Sequence, residues 1–141
     1  MIFAAGLGTR LRPLTDNMPK ALVPVAGKTM LERVILKLKD AGFHDITINI
    51  HHFGNQIIDF LRANENFGVN IHISDERGEL LDTGGGIKKA RPLLESNEPF
   101  LIHNADILTD LDLNAFYHHH LESDADATLP VSYTHLTLPT T

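Results

Sequence analysis

Hydrophobic residues recur along this chain in two rhythms, and the rhythms alternate. Met1-Ile2-Phe3-Ala4-Ala5 is an unbroken apolar run, the pattern of a short buried strand. From Met30 the spacing changes. Met30, Leu31, Val34, Leu38 and Ala41 fall three or four residues apart, which predicts a helix. Thr29 and Glu32 frame its start as a capping box, and Gly42 supplies its stop. Asp45 to His51 alternates, with Ile46, Ile48 and Ile50 on one face, and predicts a second strand. A short helix is expected from Gly54 to Asn64 on Ile57, Ile58 and Leu61, then a third strand on Val69, Ile71 and Ile73. Past a loop from Asp75 to Thr83 comes Gly84-Gly85-Gly86, and after it a helix from about Ile87 to Leu94. Phe100-Leu101-Ile102-His103 reads as a fourth strand ending at Asn104-Ala105-Asp106. Leu113 to Glu122 reads as a helix and Ala127 to Val131 as a last strand.

Strands alternating with helices imply an α/β fold, a Rossmann-like three-layer sandwich with a mostly parallel central sheet. In such sheets ligands gather at the carboxyl ends of the strands. Two stretches with chemical potential lie at such ends. One is Gly6-Leu7-Gly8-Thr9-Arg10, directly after the first strand; the other is Asp106, directly after the fourth.

The first stretch is glycine-rich and cationic. Residues 1–29 carry Arg10, Arg12, Lys20 and Lys28 against the single acid Asp16, in a chain of net charge −6. Glycines let backbone N–H groups approach a ligand, and basic side chains neutralise it, so the combination suits a polyphosphate. The common phosphate motifs do not fit. A dinucleotide fingerprint needs a small residue where Leu11 stands and a helix straight after the turn, which Pro13, Pro19 and Pro24 forbid. A nicotinamide-dependent oxidoreductase therefore fails as a reading. Gly27-Lys28-Thr29 ends like a P-loop, but the first glycine of that motif would fall at Leu22.

Gly6-Leu7-Gly8-Thr9-Arg10-Leu11-Arg12-Pro13-Leu14-Thr15, followed by Pro19-Lys20-Ala21-Leu22-Val23-Pro24-Val25, resembles the signature of the sugar-phosphate nucleotidyltransferases, the NDP-sugar pyrophosphorylases. Leu80-Leu81-Asp82-Thr83-Gly84-Gly85-Gly86-Ile87 is most similar to the N-acetylmuramate-1-phosphate uridylyltransferase branch, with mannose-1-phosphate guanylyltransferases next. The resemblance covers residues 1–131. It implies transfer of a nucleoside monophosphate from a nucleoside triphosphate to a sugar-1-phosphate, with pyrophosphate released. It also implies Mg²⁺ as cofactor, a cytoplasmic enzyme of nucleotide-sugar biosynthesis, and a product for the cell envelope.

Residue by residue, the resemblance makes Arg10 and Lys20 catalytic, on the triphosphate and the reacting phosphates. Ala5, Gly6, Gly8, Thr9, Arg10 and Lys20 would bind the triphosphate. Thr83, Gly84 and Gly85, with Gly86 and Asp82 beside them, would form the base and ribose pocket. Asp106 matches the metal-binding aspartate, although Ala105 stands where the family usually has glycine. The second metal aspartate of the family lies beyond this sequence. Arg12 and Lys28 read equally well as surface charge. Asp110 and Asp112 fit a helix N-terminus better than a metal site. His118-His119-His120 would point in different directions on a helix and do not form a ligand set, whereas His51-His52 ends a strand on the site side.

Composition narrows the rest. The acidic balance offers no broad basic surface for nucleic acid. There are no cysteines, which excludes disulfides and thiolate metal sites. No apolar run approaches membrane-spanning length, so no membrane partner is expected, and the resemblance implies a nucleoside triphosphate and a sugar-1-phosphate as partners. The last charged side chain of the Asp, Glu, Lys and Arg set is Asp126. Residues 132–141 shift abruptly to Thr, Leu and Pro and resemble adapter read-through at the end of an assembled fragment, or else a linker. Residues 1–131 are therefore expected to be the N-terminal portion of a catalytic domain, truncated at its C-terminus, and 132–141 a non-native or disordered tail. The competing class is a nucleotide-binding or regulatory module of the same fold without catalysis.

Overall fold

The computed structural model describes residues 1–131. The chain divides into two compact units, Met1–Asp110 and Leu111–Thr141. The first holds a four-stranded sheet of β1 (Ile2–Phe3), β4 (Asp45–Ile50), β5 (Asn70–Asp75) and β6 (His103–Asn104). Their order is β5-β4-β1-β6, and every pairing is parallel. Between them come a hairpin of β2 (Pro24–Val25) and β3 (Lys28–Thr29), and the helices α1 (Met30–Asp40), α2 (Gly54–Ala63) and α3 (Asp82–Leu94).

Register explains how the sheet is covered. Ile2 pairs with Ile48, Ile48 with Ile73 and Ile46 with Ile71, so these side chains share one face. Ile2, Ile46, Ile48 and Ile50 are fully buried there. Phe3 pairs with Asn49 and Asn49 with Ser74 on the opposite face. That face carries polar residues, yet Thr47, Asn49 and Ser74 are buried too. Right-handed crossovers put α1 and α2 on the first face and α3 on the second. Helices on both faces of a parallel sheet are the three-layer arrangement expected from the alternation.

Local chemistry accounts for the element ends. The Glu32 N–H donates to Thr29 Oγ1 at 3.1 Å, half of the expected capping box. Gly42 ends α1 with φ +95°, a backbone state that favours glycine. The proline-rich stretch before the hairpin forms three short 3-10 turns, Thr9–Leu11, Leu14–Asp16 and Lys20–Leu22, in place of a helix. Arg33 pins the hairpin by donating to Val25 O at 2.9 and 2.6 Å and to Ala26 O at 2.9 Å.

Two expected boundaries move. α3 begins at Asp82, five residues before Ile87, and takes in the glycine triplet. β6 is reduced to His103–Asn104, although His103 N–H donates to Met1 O at 2.9 Å and Ala105 N–H to Phe3 O at 3.0 Å, so the pairing with β1 brackets it.

The second unit, where described, holds α4 (Leu113–Leu121), capped by Asp112 Oδ1 accepting from Ala115 N–H at 2.9 Å. The expected strand at 127–131 is absent: the backbone there is irregular. Leu129 and Val131 are exposed, and Pro130 has no N–H to give a ladder. The tail expected at 132–141 lies outside the described residues. Among the described residues no helix is long and apolar enough to cross a membrane.

Candidate active site

β1 delivers the chain to the carboxyl edge of the sheet, where Ala4 and Ala5 are still buried and Gly6 emerges exposed. Gly8 then turns the chain with φ +66°. Its carbonyl accepts from Thr15 Oγ1 at 2.6 Å and from Leu11 N–H at 3.0 Å. A Cβ on Gly8 would stand 2.9 Å from Thr15 Cγ2 and 3.0 Å from Lys20 Cβ. Gly8 is thus required by its turn and by close packing. A Cβ on Gly6 would meet nothing within 4 Å, so that backbone lies open to a ligand. Thr9 and Arg10 are exposed on the first 3-10 turn, and Arg10 has no acidic partner among the described residues.

Lys20 opens the third 3-10 turn. Pro19, Ala21 and Val23 around it are buried, which anchors the segment and leaves the lysine side chain to turn outward. Its Nζ pairs with Asp106. Asp106 follows β6, the strand that pairs with β1, so the ion pair ties the long loop that leaves β1 to the carboxyl end of β6. Both side chains are about one-third exposed, 31% and 34%. A pair so exposed contributes at most about 1 kcal/mol to stability. Its consequence is positional: an ammonium and a carboxylate converge where the glycine loop begins. Ala105, the departure from the family pattern, is buried and is not in the left-handed region, so its methyl costs the turn nothing.

The glycine triplet differs from expectation in form. Thr83, Gly84 and Gly85 lie in the first turns of α3, and they do not form a turn ahead of it. Glycine costs a helix interior about 1 kcal/mol relative to alanine. Here tertiary packing overrides that cost. A Cβ on Gly86 would stand 3.1 Å from Glu76 Oε2, 3.3 Å from Asn49 Nδ2 and 3.3 Å from Phe3 Cε1, so the helix rests directly on the sheet. A Cβ on Gly85 would meet Leu81 Cβ at 2.9 Å, while Gly84 faces open space. Thr83 and Gly84 are exposed, and N–H groups at the start of a helix have no intrahelical acceptor, so the edge can still donate to a ligand. Asp82 begins the helix with φ +58°.

Two residues of this region escape a reading of the sequence. Glu76 is fully buried, and Asn49 nearly so. Asn49 Nδ2 donates to Glu76 Oε2 at 2.8 Å, and Leu81 N–H donates to Glu76 Oε1 at 3.2 Å. The available signal was an asparagine inside an otherwise apolar strand. Glu76 itself is masked by its charged neighbours, which turn outward as an exposed Asp75–Arg77 ion pair at 2.7 Å. Hydrogen bonds from Arg77 hold the Asp75 carboxyl well below the usual carboxylate range.

The remaining candidates disperse. Arg12 pairs with Asp16 at 3.7 Å on the surface, and Lys28 belongs to the separate hairpin. His51 donates from Nδ1 to the Glu76 carbonyl at 2.6 Å, and the His52 ring packs on Phe53 with centroids 4.1 Å apart. Both are structural contacts. His118 Nδ1 faces Asn114 O at 2.9 Å and His120 Nδ1 faces Thr128 Oγ1 at 2.8 Å, within α4 and its continuation. Among the described residues no three His, Cys, Asp or Glu side chains gather to hold a metal. A pocket lined by Ile58, Leu61, Arg62, Glu65 and Ile71 contains none of the expected site residues.

Comparison with known proteins gives the same direction as the signature. A family described as Nucleotidyl transferase matches residues 1–140. An N-acetylmuramate alpha-1-phosphate uridylyltransferase of Neisseria meningitidis serogroup B is 49% identical over 117 residues, 83% of this chain and 50% of that protein. A mannose-1-phosphate guanyltransferase of Gibberella zeae is 41% identical over 125 residues, 85% of this chain and 34% of that protein. The crystal structure of HddC from Yersinia pseudotuberculosis complexed with GMP-PN superposes with a TM-score of 0.76 at 33% identity, over 87% of this chain and 54% of that one. The chain thus spans half the length or less of the curated relatives described here.

Proposed function

Because this chain belongs to the nucleotidyl transferase family, we propose that it carries the nucleotide-binding portion of a sugar-1-phosphate nucleotidyltransferase. The reaction joins a sugar-1-phosphate oxygen to the α-phosphorus of a nucleoside triphosphate. The bond from that phosphorus to the bridging oxygen breaks, and pyrophosphate leaves. The observation that carries the reading is the Lys20–Asp106 pair, which ties the loop after β1 to the carboxyl end of β6, with Lys20 Cβ packed against the turn at Gly8.

The nucleophile is a phosphate oxygen, already anionic at neutral pH, so the reaction needs no general base. The obstacle is the approach of one anion to another. Arg10, exposed and with a planar fork of donors, is suited to the β- and γ-phosphates and to the leaving pyrophosphate. Lys20 is suited to the reacting phosphates as a point charge. The N–H groups from Gly6 to Thr9 supply further donors. Thr83, Gly84 and Gly85 at the start of α3 would receive the base and ribose.

Asp106 is a single carboxylate, and no cluster of three metal-binding side chains stands near it among the described residues. That donor set fits Mg²⁺, which takes most of its oxygens from substrate phosphates and water. When bound, the ion would neutralise phosphate oxygens during transfer. Asp106 would hold it, and Lys20 would keep the carboxylate oriented beforehand.

The named relatives favour UTP with N-acetylmuramate-1-phosphate, then GTP with mannose-1-phosphate. Such an enzyme would work in the cytoplasm on precursors of the cell envelope. A second reading, a nucleotide-binding module without turnover, is favoured by one observation: among the described residues, Asp106 is the one carboxylate that pairs with Lys20. The test is Mg²⁺-dependent pyrophosphate release from UTP, GTP, CTP and dTTP against a panel of sugar-1-phosphates. It is run on this chain and on a form extended over the remaining length of the relatives. Turnover with one pair, abolished by Lys20→Ala or Asp106→Ala, supports the enzyme. Nucleotide binding without turnover in both forms supports the module.

A further inference from the structure

We infer that Asn49 and Glu76 form a buried clamp that fixes the glycine loop against the first turn of α3, and so sets how a nucleoside triphosphate spans the two. The inference rests on the nucleotide reading of the site above.

The clamp is a chain of hydrogen bonds. Ala4 N–H donates to Asn49 Oδ1 at 2.7 Å. Asn49 Nδ2 donates to Glu76 Oε2 at 2.8 Å. Leu81 N–H donates to Glu76 Oε1 at 3.2 Å. Its polarity is forced, because both backbone ends can only donate. Asn49 must turn its oxygen to Ala4 and its NH₂ to Glu76, and Glu76 must accept on both sides. Glu76 is held further by its own N–H to Ile50 O at 2.8 Å and by His51 on its carbonyl at 2.6 Å.

The two ends of the chain are the two ends of the candidate site. Ala4 is the last buried residue but one before the open loop at Gly6. Leu81 is the N-cap residue of α3, just before Asp82 and Thr83. Gly86 seats the helix on the pair, with room for no Cβ without displacing Glu76 or Asn49. Apolar residues would fill this space without the cost of desolvating polar groups. A fully satisfied polar network instead gives one geometry. The loop and the helix start are thereby held in register, as a ligand with a phosphate end and a base end requires.

The test uses ligands that engage one end or both. Inorganic tripolyphosphate reaches the loop alone, whereas UTP and GTP need the loop and α3 together. Glu76→Gln sets an amide NH₂ against Asn49 Nδ2 or Leu81 N–H, and Asn49→Asp sets two acceptors face to face. The double variant Asn49→Asp/Glu76→Gln reverses the central bond and restores every donor and acceptor with the same shape and charge. Calorimetric titration of the 141-residue chain is expected to show nucleotide binding weakened about tenfold in each single variant, because a loop and a helix start freed from their shared register must be re-ordered when one ligand engages both. Tripolyphosphate binding should change by less than about twofold, and the double variant should return nucleotide binding to within about threefold of the original. If a single variant does not fold, the double variant alone carries the test by folding and binding. Folded single variants that bind nucleotide normally would overturn the clamp. So would equal losses of nucleotide and tripolyphosphate, or a double variant that stays impaired. A parent chain that binds neither UTP nor GTP refutes the nucleotide reading and the clamp with it.

Discussion

Replacing Gly8 by alanine tests whether the glycine loop is built as described, because the two glycines of the loop make opposite predictions. Gly8 sits at φ +66°, where an L-residue pays about 1–2 kcal/mol. The new methyl would also stand 2.9 Å from Thr15 Cγ2 and 3.0 Å from Lys20 Cβ. Thr15 cannot step aside freely: it is buried, and its hydroxyl donates to the Gly8 carbonyl at 2.6 Å. Overpacking of this kind costs about 1–3 kcal/mol. Together the two effects amount to about 2–5 kcal/mol, a large share of the roughly 5–15 kcal/mol that holds a domain. At about 4 °C per kcal/mol for a chain of this size, Tm should fall by about 8–20 °C. Gly6→Ala meets no neighbour and an ordinary φ, so its Tm should move by less than about 2 °C. Thermal unfolding followed by circular dichroism reads both variants in one experiment. A Gly8→Ala chain as stable as the parent, or a Gly6→Ala chain as damaged as Gly8→Ala, would refute the assignment of structural duty to Gly8 and openness to Gly6.

Three further outcomes are expected. Thr29→Ala removes the acceptor for Glu32 N–H and should cost about 1 kcal/mol in urea unfolding; an unchanged midpoint would show that the cap contributes nothing. Burial lowers the His103 imidazole below its ordinary 6.5, against a smaller raising effect from its bond to the Asn104 carbonyl. The unfolded chain therefore takes up that proton first. The stability His103 contributes is complete above pH 6.5 and declines as pH falls toward the depressed folded value. His103→Gln should flatten this part of the profile, and an unaltered slope between the two proteins would contradict it. Finally, β6 ends the sheet order among the described residues, and Phe100, Ile102, Ile107 and Leu108 beside it are exposed. Concentration-dependent association is expected by light scattering, and charged substitutions at Phe100 and Ile102 should reduce it.

Much of this architecture was legible in the order of residues, for physical reasons that differ by element. α1, α2 and the sheet strands β4 and β5 declare themselves by periodicity, since burial on one stripe or one face leaves a repeating trace. The loop after β1 declares itself through glycine and proline, whose backbone limits act locally. α3 was harder. Its glycines argue locally for a turn, but the helix lies so close to Phe3, Asn49 and Glu76 that any Cβ at residue 86 would press on all three. A tertiary contact thus reversed a local preference. Glu76 was hidden for a related reason: nothing in Asp75-Glu76-Arg77 distinguishes the residue that turns inward from the two that pair outside. The strand expected at 127–131 shows the converse error. Its apolar residues suit a strand, but no neighbouring strand among the described residues supplies hydrogen bonds. At the candidate site, resemblance to a signature singles out Arg10, Lys20 and Asp106. The direct Lys20–Asp106 contact is not legible there, because it depends on β1 and β6 being neighbours.

Phosphorus NMR reads directly whether chemistry occurs at the α-phosphorus, as nucleotidyl transfer requires. The extended form, with Mg²⁺, UTP and N-acetylmuramate-1-phosphate, and in parallel GTP and mannose-1-phosphate, should lose the triphosphate signals. In their place the two coupled resonances of a nucleoside diphosphate-sugar should grow in step with pyrophosphate, and neither should grow with Lys20→Ala. Orthophosphate with a free nucleoside diphosphate would mean cleavage at the γ-phosphate instead. That result, or unchanged spectra from a chain that binds the nucleotide, would contradict nucleotidyl transfer.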